Sequence, residues 1–88
     1  MKYDLECRYD SRNSFYGKAQ VVEKEGEREL YSYGTLVAKV ISNWNKTIYE
    51  YYGKYSQTTT RHQKDFFKQH GLNDKQIEEV FKKGILEV

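Results

Sequence analysis

Proline is absent from this 88-residue chain, cysteine and tryptophan occur once each, and no apolar run exceeds a few residues. Each shortage excludes something. Cys7 has no second cysteine for an internal disulfide. A bilayer-spanning helix needs about 20 consecutive apolar residues, so a membrane helix is ruled out. No order of cationic, apolar and small residues opens the chain as a secretion signal would, and the cytoplasm is the expected compartment.

Also missing are paired carboxylates in a motif, a Cys-x-x-Cys pair and a glycine-rich phosphate loop. The two histidines, His62 and His70, stand eight residues apart. On a helix that is roughly 12 Å along the axis, too far to share one ion. The expectation is therefore a protein that is not an enzyme and needs no metal or cofactor.

A chain of this length buries roughly 60–65% of the surface that its unfolded form exposes, enough for one domain with a thin core. Aliphatic residues are few beside nine tyrosines, so some tyrosines must fill the interior. The formal charge of +2 is uneven: residues 1–30 hold six basic against seven acidic side chains, and residues 31–88 nine against six. That excess is too small to mark a dedicated phosphate binder, although it biases encounters toward acidic partners.

With no proline, glycine punctuates the chain. Tyr3, Leu5, Cys7 and Tyr9 alternate with polar residues, which reads as a half-buried strand over 3–9 closed by a turn at 10–13. Further strands are expected over 15–23, 28–33, 35–42 and 47–52, the third and fourth either separate or one bent strand around Gly34. From Thr59 on, the period lengthens to three and four residues, predicting a helix over 58–70 capped at Gly71. Asn73 and Gln76 have capping-box spacing, opening a shorter helix that Gly84 stops. The predicted fold is α+β: a four- or five-stranded antiparallel meander (1–55) packed by one main helix (56–71), plus a short second helix (73–84).

The densest polar, aromatic and basic patch covers residues 52–62. Hydroxyls at Ser56 to Thr60 sit beside a helix start, where either a cap or an anion site is read, and the cap needs nothing but a hydroxyl in place. Arg61, Lys64 and Lys68 share a helix side; Arg61 sits in the first turns, against the dipole, and offers a planar fork to an acidic partner. His62 is expected to be hydrogen-bonded against the sheet. Tyr31 and Tyr33 share one side of their strand, as do Tyr49 and Tyr51. With Leu36, Ala38 and Val40 toward the helix, the opposite face carries Lys39 and some of these rings, either as a contact surface or as cross-strand pairs. Trp44, between two asparagines, either meets a partner or folds back onto the sheet, and the aggregation hazard of a bare ring favours folding back. Tyr55 completes the candidate binding set.

The pattern Tyr31-Ser32-Tyr33-x-Thr35-x-Val37-Ala38, then Tyr52-Gly53-x-Tyr55-Ser56-x-Thr58-Thr59-x-Arg61-His62 and Phe66, Gln69 and Gly71, resembles small uncharacterised proteins of phages, plasmids and mobile elements of Gram-positive bacteria. Tyr9-Asp10-Ser11-Arg12 and Ser14-Phe15-Tyr16 extend the resemblance to residues 9–71. It implies an accessory protein in the host cytoplasm that binds a host protein or ribonucleoprotein complex, including an anti-CRISPR type of inhibitor acting by occlusion. The alternative is a nucleic-acid-binding module using tyrosine stacking and the basic helix side. Two sheet edges leave both monomer and homodimer open.

Overall fold

The computed structural model describes residues 1–11 and 14–88. Six strands, β1 (Lys2–Asp4), β2 (Ala19–Lys24), β3 (Glu27–Ser32), β4 (Thr35–Ser42), β5 (Thr47–Tyr51) and β6 (Ile85–Glu87), form one antiparallel sheet in chain order. Helices α1 (Gln57–Gln69) and α2 (Asp74–Lys83) lie between β5 and β6 in sequence. The expected α+β class holds, with one strand more than anticipated. Three residues is too short a stretch to carry a periodic signal, so β6 was invisible in the sequence; its partner β5 defines it, with Tyr49 opposite Leu86.

Residues 5–9, expected in the first strand, leave the sheet after β1. Leu5 N still reaches Ala19 O of β2 at 2.9 Å, but beyond it Arg8 N and Tyr9 N turn from the sheet to Asp65 Oδ2 of α1 at 3.0 and 2.8 Å. The alternation of Tyr3, Leu5, Cys7 and Tyr9 thus arises from a connector lying along α1. Residues 15–18, assigned to the second strand, instead form a tight turn closed by Lys18 N on Phe15 O at 3.0 Å. Of the turn expected at 10–13, Arg12 and Asn13 lie outside the described residues.

Between β3 and β4 the register shifts at Leu30/Tyr31: Leu30 faces Ala38, while Tyr31 faces Leu36. Val37 is the extra residue of a bulge. Its displaced carbonyl accepts from Gln63 Nε2 at 3.0 Å and from Tyr52 N at 3.1 Å, so the bulge becomes an anchor for α1. The bulge also turns Leu36 to the outer face with Tyr31, away from Ala38 and Val40, which corrects the expected set Leu36, Ala38, Val40.

The helices cover the face made by Val21, Leu30, Ala38, Val40, Tyr49 and Tyr51. Their buried residues Phe66, Phe67, Ile77 and Val80 join these in one cluster. Ser56 caps α1 by accepting from Thr59 N at 3.1 Å. At the other end Gly71, with φ +99°, lets Leu72 N reach Phe67 O at 3.1 Å, closing the helix with a left-handed residue. Asn73 and Gln76 exchange both bonds of a capping box.

His70, at the α1 C-terminus, packs its ring on Phe66 with centroids 4.9 Å apart. Burial, helped by the nearby Arg28 charge and opposed by Glu23, pushes its pKa from 6.5 down to about 4. Between those values the unfolded chain binds more protons than the folded one, so stability falls as pH drops through that window. His70→Gln should flatten this dependence between pH 6.5 and 4 in urea titrations. A variant as acid-sensitive as the parent would show that other groups carry the effect.

Candidate functional site

Two dipeptides of the same kind stand next to each other at one end of the sheet. Tyr16-Gly17 has φ values of 54° and 72°, and Tyr33-Gly34, the turn joining β3 and β4, has 52° and 82°. Positive φ at both central residues is the hairpin geometry that normally selects Asn-Gly or Asp-Gly. A tyrosine there costs roughly 1–2 kcal/mol. Neither ring repays this by filling the core, since Tyr16 is 76% and Tyr33 59% exposed. Tyr33 N donates to Lys18 O at 2.9 Å, tying the turns together.

Between them lies a cavity of about 210 Å³, walled by Tyr16, Tyr33, Phe15 and Lys18 and bounded by Thr58 and His62. His62 is 1% exposed. Its ring meets Phe15 edge-on at 4.6 Å and lies nearly parallel to Tyr33 at 6.0 Å. A chain of hydroxyls holds it: Ser56 Oγ donates to Thr59 Oγ1 at 3.3 Å, Thr59 Oγ1 meets Ser32 Oγ at 2.8 Å, and Ser32 Oγ meets His62 Nδ1 at 2.8 Å. The two sequence stretches that carry the resemblance, around residues 31–38 and 52–62, therefore meet at Ser32, Thr59 and His62. Burial lowers the His62 pKa against the opposing pull of Asp10 and Asp65, which favours the neutral ring. His62 Nε2 has no hydrogen-bond partner among the described residues.

The other candidates scatter. Tyr49 and Tyr51 point into the helix layer, contrary to their expected place on a contact surface: Tyr49 is buried and donates its hydroxyl to His70 O at 2.5 Å, and Tyr51 stacks on Phe81 at 4.3 Å. A thin aliphatic core uses these rings as filling. Tyr31 is half-buried on the outer face, its hydroxyl donating to Glu29 at 3.4 Å. Burial alone would raise the Glu29 carboxyl, but Lys24 at 3.1 Å, Lys39 at 3.7 Å and Tyr31 outweigh it and hold it below its usual value.

On the helix side Arg61 Nε lies 3.9 Å from Asp10 Oδ2, and Lys68 Nζ is 2.9 Å from Asp74 and 5.9 Å over the Tyr9 ring. Lys64 is exposed and with Lys68 borders a groove between α1 and α2 floored by Ile77 and Phe81. Tyr55 is exposed, immediately before the Ser56 cap. Trp44 does not fold back: it is 96% exposed in the β4–β5 turn, at the other end of β4 from Tyr33. Trp44→Ser should therefore change stability by less than about 0.5 kcal/mol. The native fluorescence maximum should lie near that of the urea-unfolded chain, and a clear blue shift in the free protein would contradict this placement.

Sequence reasoning missed Tyr16 and the role of His62 in the cavity. The local signal was the Tyr-Gly pair, which occurs at 16–17, 33–34 and 52–53, the first of them absorbed by the strand assignment over 15–23. Among the described residues no group of three His, Cys, Asp or Glu is placed to hold a metal, and no helix is long and apolar enough to cross a membrane. A family model described as a family of unknown function (DUF8033) matches residues 3–83. No curated protein and no solved structure matches the chain.

Proposed function

The chain belongs to this DUF8033 family of unknown function, and from that premise we propose that it is a non-enzymatic binding protein whose contact surface is the Tyr16/Tyr33 end of the sheet. The observation that carries the reading is the pair of exposed rings held at positive φ, where an asparagine would serve the turn better. Tyrosine supplies a large amphipathic contact area with few rotatable bonds, which is why it anchors interfaces. The fuller form of the proposal is an accessory protein of a phage or mobile element that occupies a host protein and blocks it, as an inhibitor of host defence does. That part rests on the resemblance of residues 9–71.

Two features weigh against catalysis. Ser32, the hydroxyl bonded to His62, is buried on β3, and among the described residues no carboxylate is hydrogen-bonded to the ring to orient it as a general base. Nucleic acid is the less supported partner, because Arg61 and Lys68 face carboxylates and two of the four strand tyrosines are packed inside.

Tyr16→Asn with Tyr33→Asn tests the reading without breaking the turns, since asparagine tolerates the left-handed region. Stability should stay within about 1 kcal/mol of the parent. Affinity for a protein recovered stoichiometrically from a host lysate should fall by more than about tenfold, the mark of losing interface anchors. An unchanged affinity would refute the assignment. So would a preference for DNA or RNA with a steep logarithmic loss of affinity on adding salt.

A further inference from the structure

His62 is the buried polar group that the binding reading leaves unused. Of its two ring nitrogens, Nδ1 is engaged by Ser32 at 2.8 Å, and Nε2 is unpaired among the described residues. Leaving a buried nitrogen unpaired costs roughly 1–3 kcal/mol, so a native fold keeps one only where something compensates. Ser56 Oγ donates to Thr59 Oγ1, and a relay that runs on in the same sense, from Thr59 through Ser32 to an accepting Nδ1, gives the Thr59 and Ser32 protons acceptors within the chain, whereas the reverse relay leaves the Thr59 proton without one there. With Nδ1 accepting, a neutral ring carries its proton on Nε2, and the unpaired atom is then a donor seeking an acceptor.

The surroundings point the same way. Among the described residues Lys18 is the single charged side chain lining the cavity, and Thr58 brings the first turn of α1, which carries no acidic residue. Free amides and the helix dipole favour a negative group there. Asp10 and Asp65 act on the His62 ring from outside and do not line the cavity. One cation matches one negative charge, and about 210 Å³ is below the roughly 300–1,000 Å³ of pockets that enclose drug-sized ligands.

We propose that this cavity receives a single carboxylate group, with His62 Nε2–H as its buried donor and Lys18 as its rim cation. The proposal rests on the binding reading for its biological source, an acidic side chain of the partner, but the site chemistry is separable from it. Nε2 is buried, and the exposed Tyr33 ring lies beside the imidazole with centroids 6.0 Å apart.

The test uses the full chain labelled with nitrogen-15, at pH 7 and constant ionic strength. Long-range proton–nitrogen spectra should show His62 with its proton on Nε2. Sodium acetate replacing sodium chloride should shift that nitrogen and the Thr58 and Thr59 amides saturably, with acetamide and inorganic phosphate weaker. Lys18→Gln should weaken acetate binding by about two- to fivefold, as for a partly exposed ion pair. A proton on Nδ1, or shifts that never saturate, would overturn the site. A short peptide with one Glu binding more tightly than both acetate and its Gln counterpart supports a protein source, whereas equal binding of peptide and acetate assigns the pocket to a free small acid and removes the link to the partner. Saturable acetate binding with no protein partner would sustain the cavity and refute the binding reading. A partner that needs Tyr16 and Tyr33 while acetate leaves His62 unmoved would do the reverse.

Discussion

Asp65→Ala is expected to destabilise the protein by about 3 kcal/mol, because hydrogen bonds to a charged group are worth roughly 1.5–3 kcal/mol each and their loss leaves part-buried donors unpaired. The Asp65 carboxylate is 2% exposed and takes Arg8 N, Tyr9 N and Gln69 Nε2 at 3.0, 2.8 and 2.5 Å. Two of these donors are backbone amides of a connector outside the sheet, with no ladder to fall back on. Gln69 in turn donates to Glu6 O at 2.8 Å, so Asp65 and Gln69, bonded to each other, fasten the connector at both ends. For a chain of this size a total stability of roughly 5–10 kcal/mol is typical, so about a third or more would be lost. Urea denaturation measures it. The loss should be local as well as global: amide exchange at residues 8 and 9 and thiol labelling of Cys7 should accelerate even where the rest stays folded. Asp65→Asn, which keeps one acceptor oxygen, should lose less than half as much. If Asp65→Ala leaves Cys7 labelling unchanged, the connector is held by something else.

Phe67→Ala should cost still more, about 3–5 kcal/mol, the range for deleting a fully buried phenyl ring. Phe67 is 0% exposed, with Phe66, Tyr49 and Phe81 rings at 5.8, 6.1 and 6.2 Å, and Phe81 in turn stacks on Tyr51 at 4.3 Å. This aromatic set joins α1, α2 and β5. Removing its centre loosens α2 from the sheet, and β6 follows α2 directly. Thermal melting should show an unfolding midpoint lowered by more than about 12 °C. Phe67→Leu, which refills most of the space, should recover more than half of the loss. Equal losses in both variants would mean that ring geometry, and not volume, holds the helix layer.

Local chemistry made much of the framework legible. The helix caps followed from Ser56, Asn73 with Gln76, Gly71 and Gly84, each acting within one turn of its own position. Strands β2 to β5 followed from β-branched and aromatic runs bounded by glycine or asparagine, with errors confined to their ends. His62, read from its helix position as hydrogen-bonded against the sheet, meets Ser32 of β3. Where sequence reasoning went astray, a long-range partner overrode a local pattern. Tyr49 and Tyr51 look like a surface stripe until Phe81 and the His70 carbonyl take them. Leu36 changes face because of one extra residue at Val37. Trp44 stays in water, 96% exposed in its turn.

By itself the sequence determined the α+β class, the helix boundaries and the absence of a disulfide or of any familiar catalytic motif, since composition, spacing and caps act through neighbours along the chain. Only the tertiary structure decided which tyrosines are core and which are surface, that residues 5–9 serve the helix, and that Tyr16, Tyr33, Lys18 and His62 share one cavity. The physical reason is that burial and hydrogen-bond partnership belong to pairs of residues tens of positions apart, as with Ser32 and His62 or Arg8 and Asp65, and no local pattern encodes such a meeting.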